Sequence, residues 1–182
     1  MAISAIGIQK LYYGAVITEA TNLTKSGLET LKGSMTEITN VHQDTWSLEE
    51  GEPSQDSYKN QLTKAVYRMG TKQMGDITIK FSVGQYDFAT KAALLGGSVT
   101  EETSGGTTVT TGWRRAKGVT DVKKSFLAIT EDNVAIVFPK CNVLASEANT
   151  DGAISVNMSA TVLEPEQEGV YSEYWFDVTP TA

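Results

Sequence analysis

The stretch Asp76-Ile77-Thr78-Ile79-Lys80-Phe81-Ser82-Val83 decides the reading of the fold. Ile77, Ile79, Phe81 and Val83 alternate with Thr78, Lys80 and Ser82, so an extended chain here has one apolar face and one polar face. Next, Asp87 is placed to cap a helix by accepting from the backbone N–H groups ahead of it. Phe88, Ala89, Ala92, Ala93 and Leu95 supply the helix body, and Gly96-Gly97 ends it through a left-handed C-cap. Further on the pattern is strand after strand. Residues 98–103 and 107–111 flank Ser104-Gly105-Gly106. Residues 126–130 and 134–138 flank Glu131-Asp132-Asn133, a three-residue hairpin loop. Residues 142–145 and 154–163 are joined by Asn149-Thr150-Asp151-Gly152, and Ile154, Val156, Met158, Ala160 and Val162 share one face. An acidic turn at 164–169 leads to a last strand, 170–178, rich in Tyr171, Tyr174, Trp175 and Phe176.

Working back toward the N-terminus, residues 3–18 read as one or two short strands broken by Gly7 and Gly14. Leu28 and Leu31 have helical spacing but are bracketed by Gly27 and Gly33, so 23–32 stays ambiguous. Met35, Ile38, Val41 and Trp46 among polar residues make 35–48 a strand pair or one long bent strand. The expected class is mainly β: a β-sandwich or partly closed barrel with one packed α-helix.

Residues 49–75 break this rhythm. They lack a clean apolar face, and their charge is split: Glu49, Glu50, Glu52 and Asp56 come first, and Lys59, Lys64, Arg68 and Lys72 follow. Tyr58, Leu62, Val66, Tyr67 and Met69 are interspersed. The segment is too long for an ordinary connection, and such loops are usually functional or disordered. Two readings fit: a mobile surface loop, or a protruding arm that orders against a neighbouring subunit. A second charged cluster, Trp113-Arg114-Arg115-Ala116-Lys117 with Lys123-Lys124, reads either as a solvated loop or as a basic patch. In the second case Arg114 and Arg115 could meet the acidic stretch of a neighbouring copy.

The 182 residues suggest one domain, 1–182. A chain of this size buries roughly 70% of its unfolded surface and needs no covalent staples. The net charge of −7 argues against nucleic-acid binding, which draws on Lys and Arg displacing counterions. With Cys141 the only cysteine, no internal disulfide forms. Residues 1–7 do not read as a signal peptide, and no run approaches the roughly 20 apolar residues of a membrane-spanning helix. A cytoplasmic site of synthesis and no membrane anchor are therefore expected.

Catalytic signatures are missing where they would be easiest to see. His42 is the only histidine, and with Cys141 it cannot supply the ligands of a Cys/His zinc site. There is no phosphate-binding glycine loop and no G-x-S-x-G nucleophile elbow. Cys141, after Pro139 in a strand-like region, reads as a small packed residue, and His42 as a partly exposed strand residue. Glu164, Glu166 and Glu168 beside the aromatic last strand could mimic a sugar-binding cleft, against the simpler reading of a solvated acidic turn. The expectation is a non-enzymatic protein with no cofactor and no metal. A carbohydrate- or cell-surface-binding β-sandwich, as in a phage baseplate or adhesin, is the alternative.

The order of these features resembles the phage tail tube, or major tail protein, superfamily, which includes the type VI secretion tube proteins. The resemblance lies in an early strand pair, the long charged segment 49–75, the strand-into-helix run 76–95 and the hairpins that follow. It is carried most by Gly75-Asp76-Ile77-Thr78-Ile79-Lys80-Phe81, Tyr86-Asp87-Phe88 and residues 155–161. It implies a structural subunit of a virion tail that forms hexameric rings, with strands of neighbours joined into an inner barrel. The rings stack into a hollow tube, the long loop reaches the adjacent ring, and DNA slides without specific binding through a negatively charged lumen. The implied partners are further copies of the chain, other tail proteins and the passing DNA.

Overall fold

Seventeen consecutive residues from Val134 to Thr150 form one strand, and the rest of the domain is arranged around it. The structure, a computed structural model, describes residues 5–179. In chain order its elements are β1 (Lys10–Gly14), two 3-10 turns (Ala20–Asn22 and Lys25–Gly27), α1 (Leu28–Gly33), β2 (Thr36–Ile38), β3 (Ser47–Glu50), β4 (Ser54–Lys59), β5 (Val66–Gln73), β6 (Ile77–Val83), α2 (Phe88–Leu95), β7 (Ser98–Ser104), β8 (Thr107–Arg114), β9 (Val122–Ile129), β10 (Val134–Thr150), β11 (Ala153–Val162) and β12 (Tyr174–Asp177). The main sheet runs β2-β1-β9-β10-β11-β6-β3, with β12 also paired to β10. All of its pairings are antiparallel. Two hairpins, β4–β5 and β7–β8, form separate two-stranded sheets.

β10 serves two partners along one edge because it carries an extra residue. Phe138 faces Phe126 of β9, but the next pair is Cys141 with Lys124, so one residue is inserted around Pro139-Lys140. Such a bulge bends the strand and increases its twist. Before it, Val134–Val137 pair with β12 on the edge away from β9; after it, Cys141–Thr150 pair with β11. The insertion also keeps the apolar side in register: Val134, Ile136 and Phe138 share one core with Cys141 and Val143.

That first core contains Leu11, Ile38, Ile79, Phe81, Val83, Leu94, Phe126, Val156 and Met158, so β2 and β6, far apart in the sheet order, meet across it. Phe81 and Phe126 pack edge to face with centroids 5.8 Å apart. The sheet thus curls over itself; the Val41–Val83 bridge is the one pairing between its two ends among the described residues, and the barrel does not close. A second core lies on the other face of the first half of β10. There Ala135 and Val137 pack with Tyr12, Leu127, Leu23, Leu28, Leu31 and Val170. The architecture is mainly β and sandwich-like.

The period-two segment forms β6 as expected, and α2 follows with Asp87 Oδ1 accepting from the Thr90 N–H at 2.6 Å. That hydrogen bond is the main reason the Asp87 carboxyl lies below its ordinary value. Gly96 ends the helix at φ +77°, a conformation costly for other residues. The turn after Ile129 has Asn133 at φ +58°, and that between β10 and β11 has Asp151 and Gly152 at +49° and +86°, the two-residue hairpin type.

Four expectations need correction. There are two α-helices: Leu28 and Leu31 bury the face of α1 despite the flanking glycines. Residues 35–48 form neither a strand pair nor one bent strand. β2 and β3 lie at opposite ends of the main sheet, separated by 39–46, because their apolar residues meet the core from two sides. His42 follows the Val41 bridge outside any strand, with its Nε2 3.6 Å from Asp151. Trp113 and Arg114 belong to β8, not to a loop. In the 3–18 reading, β1 is the strand found, and residues 3 and 4 lie outside the described residues, as do residues 1–4 of the stretch read for a leader.

Cys141 is fully buried at the bulge, and burial pushes its thiol up to about 12. The native protein at pH 8 should therefore resist a maleimide for as long as it stays folded. Labelling should track the unfolding transition in denaturant; rapid labelling without denaturant would contradict the placement of this strand.

Candidate functional site

Residues 49–75 are not a structureless loop. Glu49 and Glu50 belong to β3, in the main sheet, and the projecting part is the β4–β5 ribbon. Its base is narrow: Gly51 N–H donates to Asp76 O at 2.9 Å, and a Cβ on Gly75 would overlap the Gly51 carbonyl. At the tip, Asn60 Oδ1 accepts from the N–H groups of Leu62 (2.8 Å) and Thr63 (3.1 Å), and Lys64 takes φ +59°. Between base and tip the strands pair with two register shifts, which twist a ribbon.

What marks this ribbon is its side chains. Leu62 is 91% exposed, Tyr67 69% and Met74 83%, and Tyr58, Val66 and Met69 are each about half exposed. A two-stranded hairpin is marginal in water, and among the described residues no further strand pairs with this one. Arg68 lies 5.8 Å over the Tyr58 ring. Among the described residues Glu50, Glu52, Asp56, Lys59, Lys64, Arg68 and Lys72 have no ion-pair partner. The structure brings Tyr58, Lys59, Leu62, Lys64, Val66, Tyr67, Arg68 and Lys72 together on one arm. Glu49 is elsewhere, bound to Lys80 at 2.6 Å, and that bond holds its carboxyl below the ordinary value.

The two arginines read as contact candidates are engaged within their own chain. Arg114 Nε donates to Ser98 Oγ at 2.7 Å. Arg115 lies 5.3 Å over the Trp113 ring and donates to Glu147 at 2.6 Å. Glu147, on β10, also holds Lys91 of α2 at 2.5 Å, and Lys91 sits 4.4 Å over the other partner of this clamp, Trp113. Trp113 Nε1–H donates to Gly96 O at 2.9 Å. This cluster fixes the base of the β7–β8 hairpin against α2 and β10. Sequence reading missed it because its members are far apart in the chain and meet only once β10 and α2 are packed.

Beside the acidic turn, Tyr171 is exposed and packs edge to face on Tyr174, with ring centroids 6.1 Å apart. Glu166 binds Lys140 at 2.8 Å. Tyr174 and Phe176 turn into the second core, and Trp175, between them, points to the opposite side of β12, its indole N–H bonded to Glu173. Among the described residues no group of three or more His, Cys, Asp or Glu could hold a metal ion, and no helix is long and apolar enough to cross a membrane. Comparison with known proteins returns no matching family model and no matching curated relative.

Glu147 offers a pH test of the clamp. The hydrogen bond from Lys91 holds its carboxyl below the ordinary 4.5. A carboxyl lowered in the folded state stabilises the fold above its unfolded value, and that contribution disappears as pH falls through the lowered value. Glu147→Gln should therefore lower the melting temperature at pH 7. The gap to the parent should shrink once the pH is taken well below 4.5. An unchanged gap across that range would show that the carboxylate charge plays no part in docking the hairpin.

Proposed function

We propose that the chain is a structural subunit that associates with copies of itself into rings stacked as a hollow tail tube through which DNA passes. The observation that carries this reading is the β4–β5 ribbon, on which Leu62 and Tyr67 stand largely exposed and Tyr58, Val66 and Met69 half exposed. Fully burying a Val or Leu is worth about 1.5–3 kcal/mol, so a neighbouring copy that covers the ribbon gains much from doing so. The uncompensated acids and bases along it would fix orientation and suppress wrong partners more than add affinity.

The main sheet supports the same reading. It does not close, and the outer edges of β2 and β3 are free of strand partners among the described residues. Two different free edges on one sheet favour head-to-tail pairing, and a head-to-tail contact closes into a ring when its rotation permits. The order of elements that resembles the tail tube superfamily supplies the remaining part of the proposal, the stacking of rings and a place in a virion tail.

The ribbon can be removed without touching either core. Replacing residues 58–69 by a short Gly/Ser linker should leave the subunit's circular dichroism and melting temperature close to those of the parent. Sedimentable assemblies should be lost. Normal assembly by this variant would exclude the ribbon as the contact between rings, and an unfolded variant would make the ribbon part of the fold.

A further inference from the structure

The tip of the β4–β5 ribbon presents one apolar knob among basic side chains. Leu62 is 91% exposed. The turn that carries it is fixed from within by Asn60, whose N–H donates to Ala65 O at 2.8 Å and whose Oδ1 accepts from Leu62 and Thr63. Lys59 and Lys64 flank the knob, and no acid occurs between Lys59 and Gly75.

Elsewhere the chain has a surface shaped to receive such a knob. Segment 39–46, the start of β1 and Glu131 enclose a hollow of about 590 Å³ beside the first core. Ile8, Val41 and Trp46 line it, each partly buried and packed against that core. The hollow is preformed. His42 N–H donates to Ser82 O at 2.8 Å, Thr45 Oγ1 accepts from the Ser82 N–H at 3.0 Å, and Trp46 packs on Phe81 with ring centroids 6.2 Å apart.

The charge of this hollow is opposite in sign to that of the tip. Asp44 and Glu131 line it with no ion-pair partner among the described residues, against one lysine, Lys10. His42, also in the lining, is turned to Asp151 at 3.6 Å. A smaller hollow that adjoins it at Ile38 and Thr39 adds Glu37 and Asp87 and no base. The apolar hollow beside α2, by contrast, is lined by Arg115 and no acid.

We infer that the ribbon tip of one copy seats in this hollow of the next, with Leu62 against Ile8, Val41 and Trp46, and with Lys59 and Lys64 toward Asp44 and Glu131. The inference rests on the self-association reading and specifies its contact; it requires no particular ring size. Knob and hollow are different surfaces of one chain, so the contact is head-to-tail, and each copy gives one tip and receives another. An apolar anchor in a pocket with charges at the rim is the arrangement that concentrates binding energy at the centre of a specific interface.

Charge exchange tests the seat by sedimentation. Lys59→Glu with Lys64→Glu should abolish sedimentable assemblies. Asp44→Asn with Glu131→Lys should do the same, Asn being suited to the φ of +60° at this position. The chain with all four substitutions should assemble again. Leu62→Ser should raise the concentration needed for assembly by about tenfold or more. Normal assembly by either charge pair, or no recovery in the fourfold variant with its circular dichroism intact, overturns the seat.

Cross-linking gives a readout independent of that recovery. Copies carrying Leu62→Cys, mixed in oxidised glutathione with copies carrying Gln43→Cys from the hollow, should yield a disulfide-linked dimer. The same copies mixed with Val109→Cys, on β8, should not. Cys141 is fully buried and stays out of the exchange. Equal yields in the two mixtures, or no dimer in the first from chains that assemble, overturn the seat and leave self-association standing. A parent chain that stays monomeric at every concentration removes both.

Discussion

One inserted residue beside Pro139 lets β10 belong to two environments. Before it, the strand is flanked by β9 and β12 and buried on both faces; after it, β11 replaces β12 and one face is left to solvent. A single regular strand would send its apolar side chains to the wrong face beyond that point, because side-chain direction alternates residue by residue. Here Cys141 and Val143 stay in the core of Ile136 and Phe138. The two cores and the attachment of α2 through Glu147 follow from this geometry.

From that frame two hairpins extend, and they differ in how they are held. β7–β8 is fastened at its base by Trp113, Arg115, Lys91 and Glu147. β4–β5 is tied to the frame by a backbone contact at Gly51 and Asp76 and carries exposed apolar side chains out to its tip. In the proposed assembly a neighbouring copy would cover this arm and pair with a free edge of the main sheet.

Much of this was legible in the sequence, for a physical reason: period two is visible only where one face is buried and the other wet. Residues 76–83 and 154–163 meet that condition and read as strands, whereas 126–130 and 134–138 are largely buried on both faces and read as a hairpin through the turn Glu131-Asp132-Asn133; Asp87 reads as a helix cap. β4 and β5 expose both faces, so their apolar residues have no period and read as a loop. β2 and β3 have mixed patterns because each is short and lies at a sheet end. The split charge and interspersed aromatics of 49–75 set it apart as a loop or an arm, whereas the pairing of Arg115 with Glu147 depends on register that no local pattern records. Arg114 and Arg115, candidates either for a solvated loop or for contact with another copy, are hydrogen-bonded within their own chain to Ser98 and Glu147.

The central claim is that the chain builds a tube from copies of itself. Electron microscopy of the purified, unmodified chain at high concentration, with and without preformed assemblies added as seeds, addresses it directly. The account predicts rings and hollow tubes of uniform diameter. Particles of single-subunit size in every condition, together with a monomer mass by light scattering across the same concentrations, would contradict it.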